Sequence, residues 1–297
     1  MRMSIEFAEQ ERWWDAMAAA EEIDAGDERI NRELRWREID RNLAGISTIL
    51  DIGAGQGAFS IPLASRGYSV THLDFSSAML ERAETKARQA GIADIEFVKA
   101  NVIDLSLFDD RCFDLVLNMD GAISFCGSEA ERALAESIRV TGKRIILSVS
   151  HTAALLPFWL QASYELCGGV LPAVGDLMER RIWDPDLHPE NRALCARLCG
   201  GYLGPIRSYL PDELKRAIEA RGMRVVRIGG IGTLSYLYGP RLMRDIEERP
   251  DYLEPFLELC DHFDRELMVD GPGTRHRAGL IATAQWAKDA KADMPAV

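Results

Sequence analysis

An α/β fold built on a doubly wound, mostly parallel sheet of seven strands is predicted by three features of this sequence. Short β-rich runs alternate with helical ones from residue 48 to about 150, the rhythm of a parallel sheet covered by helices on both faces. The first of those runs breaks directly into a glycine loop, "LDIGAGQG". After a stretch of different character the alternation resumes at residue 211 and ends in one more strand.

The elements follow in order. Residues 1–46 read as two amphipathic helices divided by "DAGD", with Trp13 and Met17 along one stripe and Ile30, Leu34, Ile39 and Leu43 along the next. They are expected to form a helical N-terminal cover. Residues 47–150 hold the strands "TILDIG", "YSVTHLD", "IEFVKA", "FDLVLNM" and "KRIILSVS", separated by helices starting near 58, 77 and 128; the helix at 77–90 stops at Gly91. Residues 151–210 interrupt the pattern. Rich in Pro, Gly and aromatics, this stretch is too long for a loop and too apolar for a linker, and predicts an inserted lid. From 211 to 297 the core resumes, with a helix opening at Pro211 and closing at Gly222, the strand "MRVVRIGG", a helical insertion at about 238–275 made of two helices around Pro250 and ending in "DGPGT", and the strand "RAGLIATAQ". The tail "KDAKADMPAV" reads as frayed.

Composition excludes several classes. With 297 residues, 47% of them apolar, the chain can bury one large core plus a smaller lid. No run approaches the ~20 apolar residues of a membrane helix, and the start, "MRMSIEFAEQER", carries acids where a signal peptide needs an apolar region. A cytoplasmic location without membrane partners is expected. The net charge of −12, from 35 basic and 47 acidic residues, disfavours nucleic acid and anionic lipid. Six cysteines at 112, 126, 167, 195, 199 and 260 form no CxxC pair, so neither a disulfide framework nor a metal site is expected. The helical additions at both ends are compatible with a monomer or a homodimer.

In "LDIGAGQG" a strand runs into Gly53, Gly55 and Gly57 and then a helix. Glycines there let the backbone turn sharply and approach a ligand, and the helix start offers free amide donors. The spacing is GxGxG, tighter than the dinucleotide fingerprint, and no GK[ST] follows to make a phosphate-binding loop. Asp74, ending the second strand, stands where a carboxylate accepts from both hydroxyls of a ribose. A nucleoside ligand is implied. The competing structural roles are a turn capped by Asp51 and a helix capped by Asp74.

These segments resemble the class I S-adenosylmethionine (SAM) dependent methyltransferases, a Rossmann-like fold. "LDIGAGQG" is similar to that family's first motif, "HLDFSSAML" to its second, "VKANVIDL" to its third and "FDLVLNM" to its fourth, over residues 48–150. The resemblance implies SAM as cofactor and S-adenosylhomocysteine as product. It implies that Gly53, Ala54, Gly55 and Gly57 run beneath the methionine part, that Asp51 or the carbonyls around it receive the ammonium, and that Asp74 holds the ribose. Phe75 and Met79 would pack against the adenine. Many members carry an acid where this chain has Asn101; here the amide oxygen of Asn101 would accept from the adenine amino group, with the backbone of Val102 meeting the ring and Asp104 as the fallback acid.

Methyl displacement needs an in-line nucleophile and mainly positioning; a base is needed only if the acceptor must lose a proton. Two strand ends should border the transferred methyl. The first brings Asn118, on the cofactor side, and Asp120, to orient a cationic acceptor or cap a turn; the second brings His151, as base or as a structural histidine. Trp159, Trp183, Tyr202 and Tyr209 of the lid are the candidate substrate contacts, against the alternative that they form the lid's own core. The expected function is methyl transfer from SAM to oxygen, nitrogen or carbon of a small molecule. The C-terminal half also faintly resembles tRNA carboxymethoxyuridine methyltransferases, which the acidic balance disfavours. A non-catalytic SAM-binding protein is the third reading, and a nicotinamide oxidoreductase is disfavoured by the glycine spacing.

Overall fold

The computed structural model describes residues 3–18, 27–119, 121–235, 240–267 and 279–286. Two helices come first, α1 (Met3–Met17) and α2 (Asp27–Arg41). Then β1 (Thr48–Ile52), α3 (Ser60–Ser65), β2 (Ser69–Asp74), α4 (Ser77–Gln89), β3 (Ile95–Lys99), β4 (Phe113–Asn118), α5 (Ala130–Arg139) and β5 (Thr141–His151) give the expected alternation. The next stretch holds α6 (Thr152–Cys167), α7 (Pro172–Arg180), β6 (Ile182–Trp183), α8 (Pro189–Cys199) and β7 (Ile206–Tyr209). The chain continues through α9 (Pro211–Glu219), β8 (Met223–Ile231), α10 (Pro240–Glu247), α11 (Pro250–His262) and β9 (Gly279–Trp286). Proline opens α7, α8, α9 and α11, where its missing N–H costs nothing.

The sheet runs β3-β2-β1-β4-β5, all parallel, and continues through β9, antiparallel to both β5 and β8. Side chains alternate between two apolar layers, as strand geometry requires. Leu50, Ile52, Val116, Ile145 and Leu147 face α5 and α9 in one layer. Ile49, Leu115, Leu117 and Ile146 face the other, which takes in Ile30, Leu34 and Ile39 of α2, Leu63 of α3 and Leu257 of α11. The expected cover thus divides: α2 is a core helix of the second layer. Its buried Glu38 takes an ion pair from Arg265 and a hydrogen bond from the Thr283 hydroxyl of β9 at 2.5 Å, with Arg227 of β8 at 3.7 Å.

All seven expected strands are present, and β6 and β7 extend the sheet. Both lie in the stretch 151–210: β7 pairs in parallel with the last residues of β5, Ser150 with Ser208 and His151 with Tyr209, and β6 pairs antiparallel with β7. A separate apolar cluster of Trp159, Leu177, Trp183, Leu194 and Ile206 joins these strands to α6, α7 and α8. The expected turn "DGPGT", the tail after residue 286 and Asp120 fall outside the described residues. No helix among the described residues is long and apolar enough to cross a membrane.

Candidate active site

Between β1 and α3 the backbone takes positive φ at Gly53 (65°), Gly55 (53°) and Gly57 (86°). A Cβ on Gly53 would lie 2.6 Å from that of Ala122, and one on Gly57 would lie 2.7 Å from Ile61 Cδ1. Conformation therefore demands glycine at both, and at Gly53 space does too, because the Ala122 Cβ cannot swing away. The end of β2 ties the loop down. The Leu73 carbonyl accepts from the N–H of Gly53 at 2.8 Å and of Ala54 at 3.1 Å. Asp74 Oδ2 accepts from the Gly55 N–H and Oδ1 from the Ser76 N–H, each at 2.9 Å. Burial pushes the Asp74 carboxyl up, the backbone N–H groups of Ser76, Gly55 and Phe75 oppose the rise, and the charge of Asp15 adds to it.

Around this loop the expected cofactor residues gather. Asn118, ending β4 beside Ile52 of β1 and Leu147 of β5, is fully buried, and neither its amide nitrogen nor its oxygen has a hydrogen-bond partner among the described residues. Buried side-chain amides are nearly always paired. Met79 is buried and Phe75 is half-buried at the start of α4, whose cap is Ser76, its hydroxyl accepting from the Met79 N–H at 3.2 Å. So Asp74 does not cap that helix. The amide oxygen of Asn101 already accepts from the Ile103 N–H at 3.1 Å, closing an Asx turn, which leaves one lone pair for a ligand. Val102 is buried in the first apolar layer. Asp104, at the surface, accepts from the Ser106 N–H at 3.1 Å and holds its own loop.

His151 is the last residue of β5 and the residue before α6, buried, with no hydrogen-bond partner for its imidazole among the described residues. Burial lowers its pKa to about 4, so the ring is neutral at pH 7 and presents a bare nitrogen. The four aromatics expected to contact substrate do not meet at one site. Trp159 and Trp183 stack on each other at 3.7 Å between centroids, within the apolar cluster of residues 151–210. The Tyr202 hydroxyl donates to Asp186 at 3.0 Å, and Tyr209 is buried in the first apolar layer with its hydroxyl directed at Glu131.

Two contacts of α1 had no sequence signal. Asp15 Oδ1 accepts from the Ser76 hydroxyl at 2.5 Å and the Ala78 N–H at 3.1 Å, at the start of α4. Gln10, buried, donates to the carbonyls of Phe125 at 3.0 Å and Leu203 at 3.1 Å, joining the turn after β4 to the segment that precedes β7. Each partner is more than sixty residues away along the chain.

A methyltransferase domain family matches residues 49–143. The demethylmenaquinone methyltransferase of Paenarthrobacter aurescens is 31% identical over 216 residues, 64% of this chain and 81% of that protein. The chain belongs to the class I SAM-dependent methyltransferases. A chloroplastic magnesium protoporphyrin IX methyltransferase of Arabidopsis thaliana is 31% identical over 167 residues, 43% of this chain; the match spans about half, 53%, of that relative. The structure of magnesium protoporphyrin IX methyltransferase from Synechocystis PCC 6803 with bound S-adenosylhomocysteine shares the fold, with a TM-score of 0.50 and 18% identity over 88% of this chain and 83% of that one. SAM is therefore the cofactor of this methyltransferase. The residues fit it: the loop offers a bend that admits no Cβ, and Asn118 offers a buried donor and acceptor that the protein itself leaves unused.

Proposed function

We propose that this methyltransferase methylates a small, mostly apolar, conjugated acceptor held between the ends of β4 and β5 and the lid. SAM supplies a methyl group on a positively charged sulfur, activated for displacement. The glycine loop would carry its methionine part, with Asp51 or the carbonyls beside it as the acceptor for the ammonium group; Asp74 would accept from the ribose hydroxyls. Phe75, Met79, Asn101 and Val102 would frame the adenine, and Asn118 would bond the cofactor from below. Asp120, two positions beyond Asn118 in the sequence, is retained as a group to orient the acceptor.

His151 carries the reading of the transfer step. It is a neutral, buried imidazole without a partner, at the strand end that borders the lid. Such a ring orients an acceptor hydroxyl and takes its proton as the new bond forms; a ring held at about 4 is a weak base, so positioning supplies most of the rate, roughly 7–11 kcal/mol at best. The acceptor class is supported by the partly buried Phe125, Leu155, Phe158 and Leu203, packed against the apolar cluster of residues 151–210, and by relatives named for demethylmenaquinone and magnesium protoporphyrin IX.

Incubation with methyl-labelled SAM and fractionated cell metabolites, followed by mass analysis, tests this. Label in an apolar, conjugated small molecule, lost in His151→Ala, is the expected result. Label in transfer RNA would replace the reading with the nucleic-acid one, and SAM binding without consumption would make the protein a SAM-binding one only.

A further inference from the structure

Beneath the glycine loop Asp51 meets two buried polar side chains, Ser60 and His72, to which the reading above gives no role. Strand register places Asp51 of β1 directly beside His72 of β2, with Phe97 of β3 on the other side of the ring at 5.1 Å. Ser60, the first residue of α3, reaches in from the second apolar layer. Its hydroxyl oxygen is 2.6 Å from Asp51 Oδ2 and 2.8 Å from His72 Nδ1. All three side chains are buried.

The directions of these bonds follow from counting hydrogens. A serine hydroxyl has one hydrogen, and an ionised carboxylate only accepts. Ser60 therefore donates to Asp51 and turns a lone pair toward His72, so Nδ1 carries the ring proton. Burial holds the imidazole neutral, with a pKa of about 4, the Gly55 carbonyl opposing that shift. A neutral ring has one N–H, so Nε2 is bare, and it is buried with no hydrogen-bond partner among the described residues. The order differs from that of a hydrolytic triad, in which the imidazole stands between carboxylate and hydroxyl. Here the histidine is the terminal donor, and the chain of bonds ends on the carboxylate below the loop. An aliphatic residue at 72 would fill this strand position without leaving Nε2 unpaired, so the sheet alone gives no reason for a histidine.

We propose that Ser60 and His72 are positioning residues for the amino-acid end of the cofactor. The chain from His72 Nδ1–H to Ser60 and from the Ser60 hydroxyl to Asp51 holds the carboxylate of Asp51 in one rotamer, so that the ammonium group meets an anion already in place. This rests on Asp51 being the acceptor for that ammonium.

Two ligands separate the role from general support of the loop. S-adenosylhomocysteine carries the amino-acid end, and 5′-methylthioadenosine keeps the adenosine and thioether without it. Calorimetry on the purified full chain is expected to show Ser60→Ala weakening S-adenosylhomocysteine by about tenfold. Methylthioadenosine should change by less than about twofold. Ser60→Thr, which keeps the hydroxyl, should restore the difference, and His72→Phe should repeat the loss should Ser60→Ala fold poorly. Equal weakening of both ligands, or of neither, overturns the proposal. Asp51→Asn separates the two levels. If it leaves the preference for S-adenosylhomocysteine intact, the reading of Asp51 fails and the positioning role fails with it; if it erases the preference while Ser60→Ala and His72→Phe keep it, the positioning role alone fails.

Discussion

At Asn118 stability and function pull against each other. Its amide is buried with both polar atoms unpaired among the described residues, a cost of about 1–3 kcal/mol that a bound ligand would relieve. Asn118→Leu, close in volume, should raise the melting temperature of the ligand-free protein and weaken S-adenosylhomocysteine by about tenfold or more. Thermal melting with and without the ligand checks both signs. The buried histidines act through pH. His72 and His151 are each held at about 4 against 6.5 when unfolded, so across that interval the unfolded chain binds protons that the folded one refuses. Stability is full above 6.5 and falls as the pH drops toward 4. His151→Asn removes one of the two titrations, and the slope of unfolding free energy over that range should shrink by up to about 1.4 kcal/mol per pH unit. Asp74, whose carboxyl is held up, acts in the opposite sense in both proteins and cancels from the comparison. Urea unfolding at a series of pH values reads the difference.

The elements show what was legible beforehand and what was not. Gly53 and Gly57 could be read because the bend between a strand and a helix is a local event, dictated by residues a few positions apart; the hold of Asp74 on the Gly55 N–H, 19 residues away along the chain, could not. The pair β6 and β7 could not, since a two-residue strand such as Ile182–Trp183 has no period to detect. Lid aromatics announce a core by composition, yet whether Trp159 and Trp183 face a ligand or each other is settled only by tertiary packing, and here they face each other. The same limit hid α1, which sequence showed as amphipathic without showing its partners. Through Gln10 and Asp15 it bridges the segment before β7, the turn after β4 and the start of α4, across the rim of the proposed cofactor site. Gln10→Ala strips donors from two carbonyls, so stopped-flow displacement should show S-adenosylhomocysteine leaving severalfold faster, by roughly the factor one or two hydrogen bonds supply. An unchanged off-rate would remove α1 from the gating of that site.

Over the whole molecule, one charged group holds the most distant pieces together. Glu38 of α2 meets Arg265 after α11, Arg227 of β8 and Thr283 of β9, and burial lowers the pKa of Arg227 against the pull of Glu38. Removing the anion leaves the buried Arg227 without its partner, while Arg265 keeps Asp261, so Glu38→Ala should cost about 3–5 kcal/mol in urea unfolding. Affinity for S-adenosylhomocysteine in the remaining folded protein should stay the same, because the network lies away from the glycine loop. Thr283, one of its members, sits on β9, which lies between β5 and β8 although it follows both in the chain. During synthesis, then, two long strands emerge and wait with open edges on either side of a vacant slot, prone to seize a neighbouring chain, until residues near the C-terminal end clear the ribosome and slide in as the keystone.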